Sequence, residues 1–219
     1  EHLVGHVCAD MTKQGFGFDT KNGTELQYEL LGEKAEIEDN LQKIFPTITE
    51  ERWSEKTGKQ LKSKVTVFNP ASTKQIAHRF NEKYSWNAPV SDKGNPNCDT
   101  SVLKGLKFPE AKEILRYRDI QKLLGMVEDW IIRAESSSDN RIHGNFNHQG
   151  AATGRATHSQ PNVAQVDKNP RASGLWKPHD GHVQVGSDLS GLELRMLAHQ
   201  MAEYDGGDYA KQILEGDIH

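Results

Sequence analysis

Asp188 and Glu193 are the carboxylates whose setting suggests chemistry. The alternating stretch Val183-Gln184-Val185 runs through Gly186-Ser187 to Asp188, and a helix-like run, Leu192-Glu193-Leu194-Arg195, follows at once. A strand that gives way to a helix beside a lone carboxylate is a cradle for a hard cation. Oxygen donors suit magnesium, which commonly takes one or two protein carboxylates together with substrate phosphates. Two plainer roles stand beside that one. Asp188 or Ser190 could cap the helix, and Glu193 could be a solvated first-turn acid favoured by the helix dipole. Arg195 has Glu193 or a backbone carbonyl as its natural partner.

A second set of residues is rich in hydrogen-bond donors and poor in acids. Arg141-Ile142-His143-Gly144-Asn145-Phe146-Asn147 leads to a turn at His148-Gln149-Gly150. Thr153-Gly154-Arg155-Ala156-Thr157-His158 and Pro161-Asn162-Val163-Ala164-Gln165 come next. Such side chains suit phosphate oxygens and the minor-groove acceptors shared by all base pairs. The same segments also read simply as a polar β-hairpin with its turns. The histidines show no i, i+4 pair around a glutamate, so a zinc-protease site is not expected.

The elements that must position these residues come in two styles. A short helix and an extended piece occupy residues 1–20, broken at Gly15-Phe16-Gly17, with Asp19 or Thr20 placed to cap the next helix. Leu26, Leu30, Ile37, Leu41 and Ile44 keep helical spacing up to Pro46. The Lys-rich stretch 47–64 is polar and reads as loop. Asn69-Pro70-Ala71-Ser72 opens a helix carrying Ile76, Ala77 and Phe80, and residues 85–101 read as loop. Pro109 starts a long helix to about Ala134 with Ile114, Leu115, Ile120, Leu123, Leu124, Val127 and Ile131 in one stripe. A boundary is placed near 136–140, between a mostly helical part and an α/β part that opens with short strands and tight turns at 141–170.

Bulk properties narrow the class. The 219 residues carry a formal net charge of −4, and no apolar run reaches the roughly 20 residues that a membrane helix needs. Cys8 and Cys98 lack metal spacing and read as free thiols of a reducing cytosol. Charge is unevenly spread. Between Arg52 and Lys83 lie eight Lys or Arg against Glu55 and Glu82, whereas acids dominate after Asp188. That arrangement suits a polyanion, or an ordinary solvated basic face. The chain begins at Glu1, not Met, and stops in a charged segment, so it reads as a piece of a longer protein.

TGRATH, PNVAQ, SDLSGLELRMLAH and EGDIH, in that order and spacing, together resemble family A (Pol I-type) DNA polymerases, with the nearest likeness to the phage replicative branch. FNPAS with its helix and the helix bearing RYRDIQKLL look like the thumb of that family, and the GFGFD segment resembles the lead-in to it. The resemblance implies an α+β fold: a lead-in at 1–20, a helical thumb-like subdomain at 21–138, and a partial antiparallel-sheet palm at 139–219. It implies that Asp188, with the Leu189 carbonyl, binds catalytic magnesium, two ions in the complete enzyme. It implies that Glu193 is a steric gate against the 2′-hydroxyl and that His219 contacts the triphosphate. Arg155 would read the primer–template minor groove, Asn162 and Gln165 would lie along the same duplex, and thumb Lys and Arg would hold backbone phosphates.

The partners implied are primer–template DNA, a deoxynucleoside triphosphate, and the missing fingers and remaining palm of the same polymerase. A thioredoxin-type processivity factor is doubtful, because only the short stretch 47–64 stands where phage relatives carry a long thumb insertion. One carboxylate is not a two-metal site, so the isolated chain is expected not to polymerise. A non-catalytic primer–template binding module, or one part of a split polymerase, is the alternative. A single-subunit RNA polymerase is disfavoured by the bulk of Glu193. The expected location is the cytoplasm, that of the host if the protein is phage-encoded.

Overall fold

The computed structural model describes residues 2–166 and 169–216. The chain divides into two compact units, 1–179 and 180–219. The division falls beyond the composition change near 136–140, because strands on both sides of that change share one sheet.

The first unit is built on two long helices. The second helix of the chain, α2 (Thr20–Ile44), follows α1 (His2–Gln14) and the strand β1 (Phe16–Phe18). Asp19 caps α2 by accepting from Asn22 N at 3.1 Å. Its apolar stripe, Leu26, Leu30, Ile37 and Leu41, is buried. The stripe packs against the fifth helix, α5 (Pro109–Ser136), which starts on Pro109 and buries Ile114, Ile120, Leu123, Leu124, Val127 and Ile131. Proline is pre-set for the first helical position, where its missing N–H costs nothing.

Between them come β2 (Ile48–Trp53), β3 (Gln60–Thr66), α3 (Thr73–Tyr84) and α4 (Thr100–Lys104). Ser72 caps α3 through Gln75 N. Phe80, fully buried on α3, meets the rings of Phe45, Trp86 and Phe108 at 5.4–6.0 Å. Glu110 is buried at the start of α5 and accepts from Lys83 Nζ at 2.6 Å and Tyr84 OH at 2.7 Å. Burial pushes its carboxyl up, but those two donors outweigh burial and hold it below the ordinary value.

After α5 come β4 (Arg141–Ile142), β5 (Asn145–Asn147), β6 (Thr157–Ser159), α6 (Pro170–Ser173) and β7 (Trp176–Lys177). One antiparallel sheet has the order β4-β1-β7. At its centre a Cβ on Gly17 would lie 2.6 Å from the Lys177 carbonyl, so only glycine lets the strands close. Phe18, Trp130 and Trp176 pack edge-on at 5.2–6.1 Å and seat this sheet on α5. The second unit holds α7 (Leu192–Asp205) and α8 (Asp208–Glu215), joined by a turn in which Asp205 accepts from Gly207 N and Tyr209 N.

Two expectations are corrected. The stretch 47–64 is not a loop: β2 and β3 pair as an antiparallel hairpin from Ile48↔Thr66 to Trp53↔Gln60. Nearly every side chain in it is exposed, so the ladder of backbone hydrogen bonds holds it without the apolar alternation that marks a half-buried strand. The second correction concerns residues 183–185, which form no strand. No described residue pairs with them, and Val183 and Val185 are more than 80% exposed. A strand exists only where a neighbour takes its hydrogen bonds.

α1 buries no side chain, and its C-terminal carbonyls are gripped from β4. Arg141 donates to Gln14 O and Gly15 O, both at 2.8 Å. His143 Nδ1 lies 2.9 Å from Thr12 O, and Nε2 lies 3.0 Å from Asp139 Oδ1. Both ring nitrogens face acceptors, so the doubly protonated ring satisfies both. The Asp139 hydrogen bond, then the Thr12 carbonyl, raise the His143 pKa above its ordinary value. A raised folded value stabilises the fold fully below the unfolded pKa, about 6.5, and the contribution is lost as pH rises through the folded value. The urea midpoint of the chain is therefore expected to fall from pH 6 to pH 8 more steeply than that of His143→Gln. Parallel pH profiles would disprove the clasp.

Candidate functional site

The segment around Asp188 is open. Residues 182–189 have no regular structure, and Asp188 and Leu189 are exposed. Gly191 is the N-cap of α7 and no side chain caps that helix, so neither Asp188 nor Ser190 takes the capping role. The segment is tied to α7 by Arg195, whose Nε donates to Ser190 O at 2.8 Å and whose backbone N donates to Gly191 O at 3.0 Å. Arg195 thus takes the carbonyl partner. Glu193 lies in the first turn of α7, exposed, where the helix dipole favours a negative charge.

The carboxylate of Asp188 and the adjacent Leu189 carbonyl are hard oxygen donors, a set that fits magnesium in kind. They do not complete a site: among the described residues no group of three His, Cys, Asp or Glu could hold a metal ion. His219 lies outside the described residues.

In the first unit, β5 and β6 form the polar hairpin, with Asn145↔Ser159, Phe146↔His158 and Asn147↔Thr157 in register. The Phe146 and His158 rings meet edge-on at 4.8 Å. Asn147 turns the chain by accepting from Gln149 N at 3.1 Å. A Cβ on Gly150 would collide with the Thr157 side chain, so the hairpin closes only over glycine here. Arg155 is exposed on the loop, where its carbonyl accepts from Ala151 N at 3.1 Å. The hairpin is therefore present, with Arg155 in its connecting loop.

Asn162 starts a 3-10 turn, Val163–Gln165, by accepting from Ala164 N at 3.2 Å. Asn162 and Gln165 then line a cavity of about 610 Å³ against α5, with Lys122, Gly125, Met126, Asp129, Trp130 and Pro161. These two predicted residues are thereby brought together, whereas Arg155 is not among those lining the cavity. Sequence reasoning missed Lys122, which sits beside them. Its one signal was a cation on the polar side of the α5 stripe. No helix among the described residues is long and apolar enough to cross a membrane.

The sequence profile of DNA polymerase family A matches residues 38–207. The DNA-directed DNA polymerases of Enterobacteria phage T3 and Escherichia phage T7 are each 32% identical to the chain over its whole length. The chain spans only 41% of their length. DNA polymerase I of Aquifex aeolicus is 30% identical over 59% of the chain, which is 22% of the relative. Among solved structures, the POL domain of Pol1 from M. smegmatis, in complex with DNA primer-template and dNTP, superposes with a TM-score of 0.66. That likeness covers 88% of this chain and 32% of the neighbour at 22% identity, so it speaks for the fold alone. The profile match and the full-length similarity to the phage enzymes establish that the chain belongs to DNA polymerase family A.

Proposed function

We propose that this chain forms the lead-in (1–20), thumb (21–138) and first palm part (139–219) of a DNA-directed DNA polymerase that adds deoxynucleotides to a primer 3′ end. The observation that carries the reading is the ordered run of TGRATH, PNVAQ and SDLSGLELR inside a chain that matches the phage polymerases from end to end. The α2–α5 pair and the β5–β6 hairpin are compatible with a thumb followed by the start of a palm.

In this reading Asp188 and the Leu189 carbonyl hold magnesium. Two such ions, when bound, supply Lewis-acid activation of the primer hydroxyl and neutralise charge on the departing pyrophosphate. Asp188 donates only one carboxylate, so the remaining palm must bring another. Glu193, four residues past Leu189 on the first turn of α7, closes the space beside the incoming sugar and excludes a 2′-hydroxyl. Arg155 would donate to minor-groove acceptors. Asn162 and Gln165 would lie along the same duplex, with Lys122 beside them. His219 would meet the triphosphate. The cytoplasm is the working place that such an enzyme implies.

A thioredoxin-type factor is not proposed as a partner. The alignment with the phage relatives runs over 292 positions, 73 more than the 219 residues of this chain, and only the hairpin β2–β3 stands between α2 and α3. The second reading is a non-catalytic primer–template binding module or one part of a split polymerase, and it fits a chain in which no group of three His, Cys, Asp or Glu among the described residues could hold a metal ion.

Primer extension in magnesium decides between them. The chain alone is expected to give no extension, and addition of the fingers and remaining palm to restore it. Extension by the chain alone would refute the incomplete-site reading, and no extension with the added part would favour the binding module. In the complete enzyme, Asp188→Asn should lower kcat by on the order of 10³-fold, several kcal/mol of transition-state stabilisation, with duplex affinity retained. Near-normal turnover would remove Asp188 from the metal site. Glu193→Ala should reduce the ratio of kcat/KM for deoxy- over ribonucleotides by about tenfold or more. An unchanged ratio would remove Glu193 from the gate.

A further inference from the structure

The stretch that carries Asp188 and Leu189 has no regular structure, yet its end is fastened. Two hydrogen bonds close the turn onto α7, and one residue donates both. Arg195 Nε reaches Ser190 O at 2.8 Å, and Arg195 N reaches Gly191 O at 3.0 Å. We propose that Arg195 is the positioning residue of the magnesium-binding stretch, its Nε–H fixing the turn from which Asp188 and the Leu189 carbonyl would present their oxygens. The inference rests on the polymerase reading, which gives those two oxygens to the metal.

Three observations carry it. First, this helix start lacks the common anchor. The N-cap is Gly191, with φ +60°, and no side chain caps α7. Ser, Thr, Asp or Asn at that position would tie the entering chain to the first turn. Glycine has no side chain to do so, and it is the residue that adopts a left-handed φ without cost. The direction in which the chain enters α7 is therefore set from elsewhere, and Arg195 supplies a side-chain donor at that point.

Second, helix geometry puts Arg195 where it can act. It lies in α7 four residues after Gly191. Side chains of a helix lean toward its N-terminus and cover the turn before their own Cα. The Arg195 side chain thus folds back over the turn while the residue stays exposed. A cation close to a helix N-terminus is opposed by the helix dipole. An arginine placed there only for solubility gains nothing, and the bond to the Ser190 carbonyl offsets that opposition.

Third, the bond acts next to the metal donors. Peptide groups are planar, so φ and ψ are the soft variables of the chain. Holding the Ser190 carbonyl holds the whole peptide plane between Ser190 and Gly191. Only φ and ψ of Ser190 then separate that plane from the Leu189 carbonyl, and Asp188 is the next residue back. Groups that hold metal donors in place without touching the metal typically carry about 10–100-fold in affinity or activity.

Two substitutions separate the donor from the charge. Gln sets its amide nitrogen as far along the side chain as Nε but carries no charge, and Met matches that length with no donor. In the chain itself, without metal, nitrogen-15 relaxation should give Ser190 and Gly191 order parameters near about 0.85 in wild type and in Arg195→Gln, falling toward about 0.6 in Arg195→Met. In the complete enzyme, the Mn²⁺ dissociation constant from electron paramagnetic resonance and the half-saturating Mg²⁺ for primer extension should both rise about tenfold in Arg195→Met. Both should return close to wild type in Arg195→Gln, with KM for primer–template unchanged throughout. Equal urea midpoints certify the fold. Order parameters that are low in wild type, or that Met leaves unchanged, overturn the inference while the polymerase reading stands. A metal affinity unmoved by Met does the same. Equal losses in Gln and Met also overturn it, by making the charge and not the donor the active feature. Near-normal turnover in Asp188→Asn removes the metal site from the polymerase reading and the inference with it.

Discussion

The seam between α2 and α5 is the constraint on which the first unit depends. Leu26, Leu30, Ile37 and Leu41 on one helix and Ile114, Ile120, Leu123, Val127 and Ile131 on the other are all buried. Each such side chain contributes about 1.5–3 kcal/mol on removal from water. Neither helix would bury its stripe alone. Once they lie together, their ends define where everything else attaches. β1 enters at the start of α2, the β4-β1-β7 sheet docks on Trp130, and α3 reaches the start of α5 through Lys83, Tyr84 and Glu110. Arg171 in α6 ties the later segment back to α2 through Glu29 and Glu33, at 3.0 and 2.8 Å.

The candidate functional groups differ in how firmly this frame holds them. Asn162 and Gln165 are positioned on a capped 3-10 turn against α5, and Arg155 on a hairpin whose register is set by Phe146 and His158. These are hydrogen-bond donor groups carried on a capped turn and on the loop of a paired hairpin. Asp188 and Leu189 stand instead on backbone without a paired neighbour. A two-metal site needs carboxylates fixed to within fractions of an ångström.

The helices were legible because their periodicity is local. Asp19 and Ser72 as caps, Pro109 as a first-turn residue and the 3.6-residue stripes all lie within the segments they specify. The hairpin β2–β3 was not legible. A two-stranded polar ribbon buries almost nothing, so no apolar pattern announces it. The alternation of Val183 and Val185 was misleading for the converse reason. Alternation records which faces a strand would present, but pairing needs a neighbour distant in the chain. Asp188 shows the same limit at the site: its residue type pointed to a metal ligand or a cap, and only the backbone at Gly191 removed the cap.

Family membership, the two long helices and the chemical kinds of the candidate residues could all be read along the chain, because motif order and helical spacing are carried by residues close together in it. The tertiary structure alone decided that Gly17 lies between Arg141 and Lys177, that Arg141 and His143 close the end of α1, and that Lys122 lines the same cavity as Asn162 and Gln165. Each of these joins residues tens to more than a hundred positions apart. Such pairings are selected by which apolar faces can be buried together and which backbone groups find partners, and neither choice is written in any one stretch of the chain.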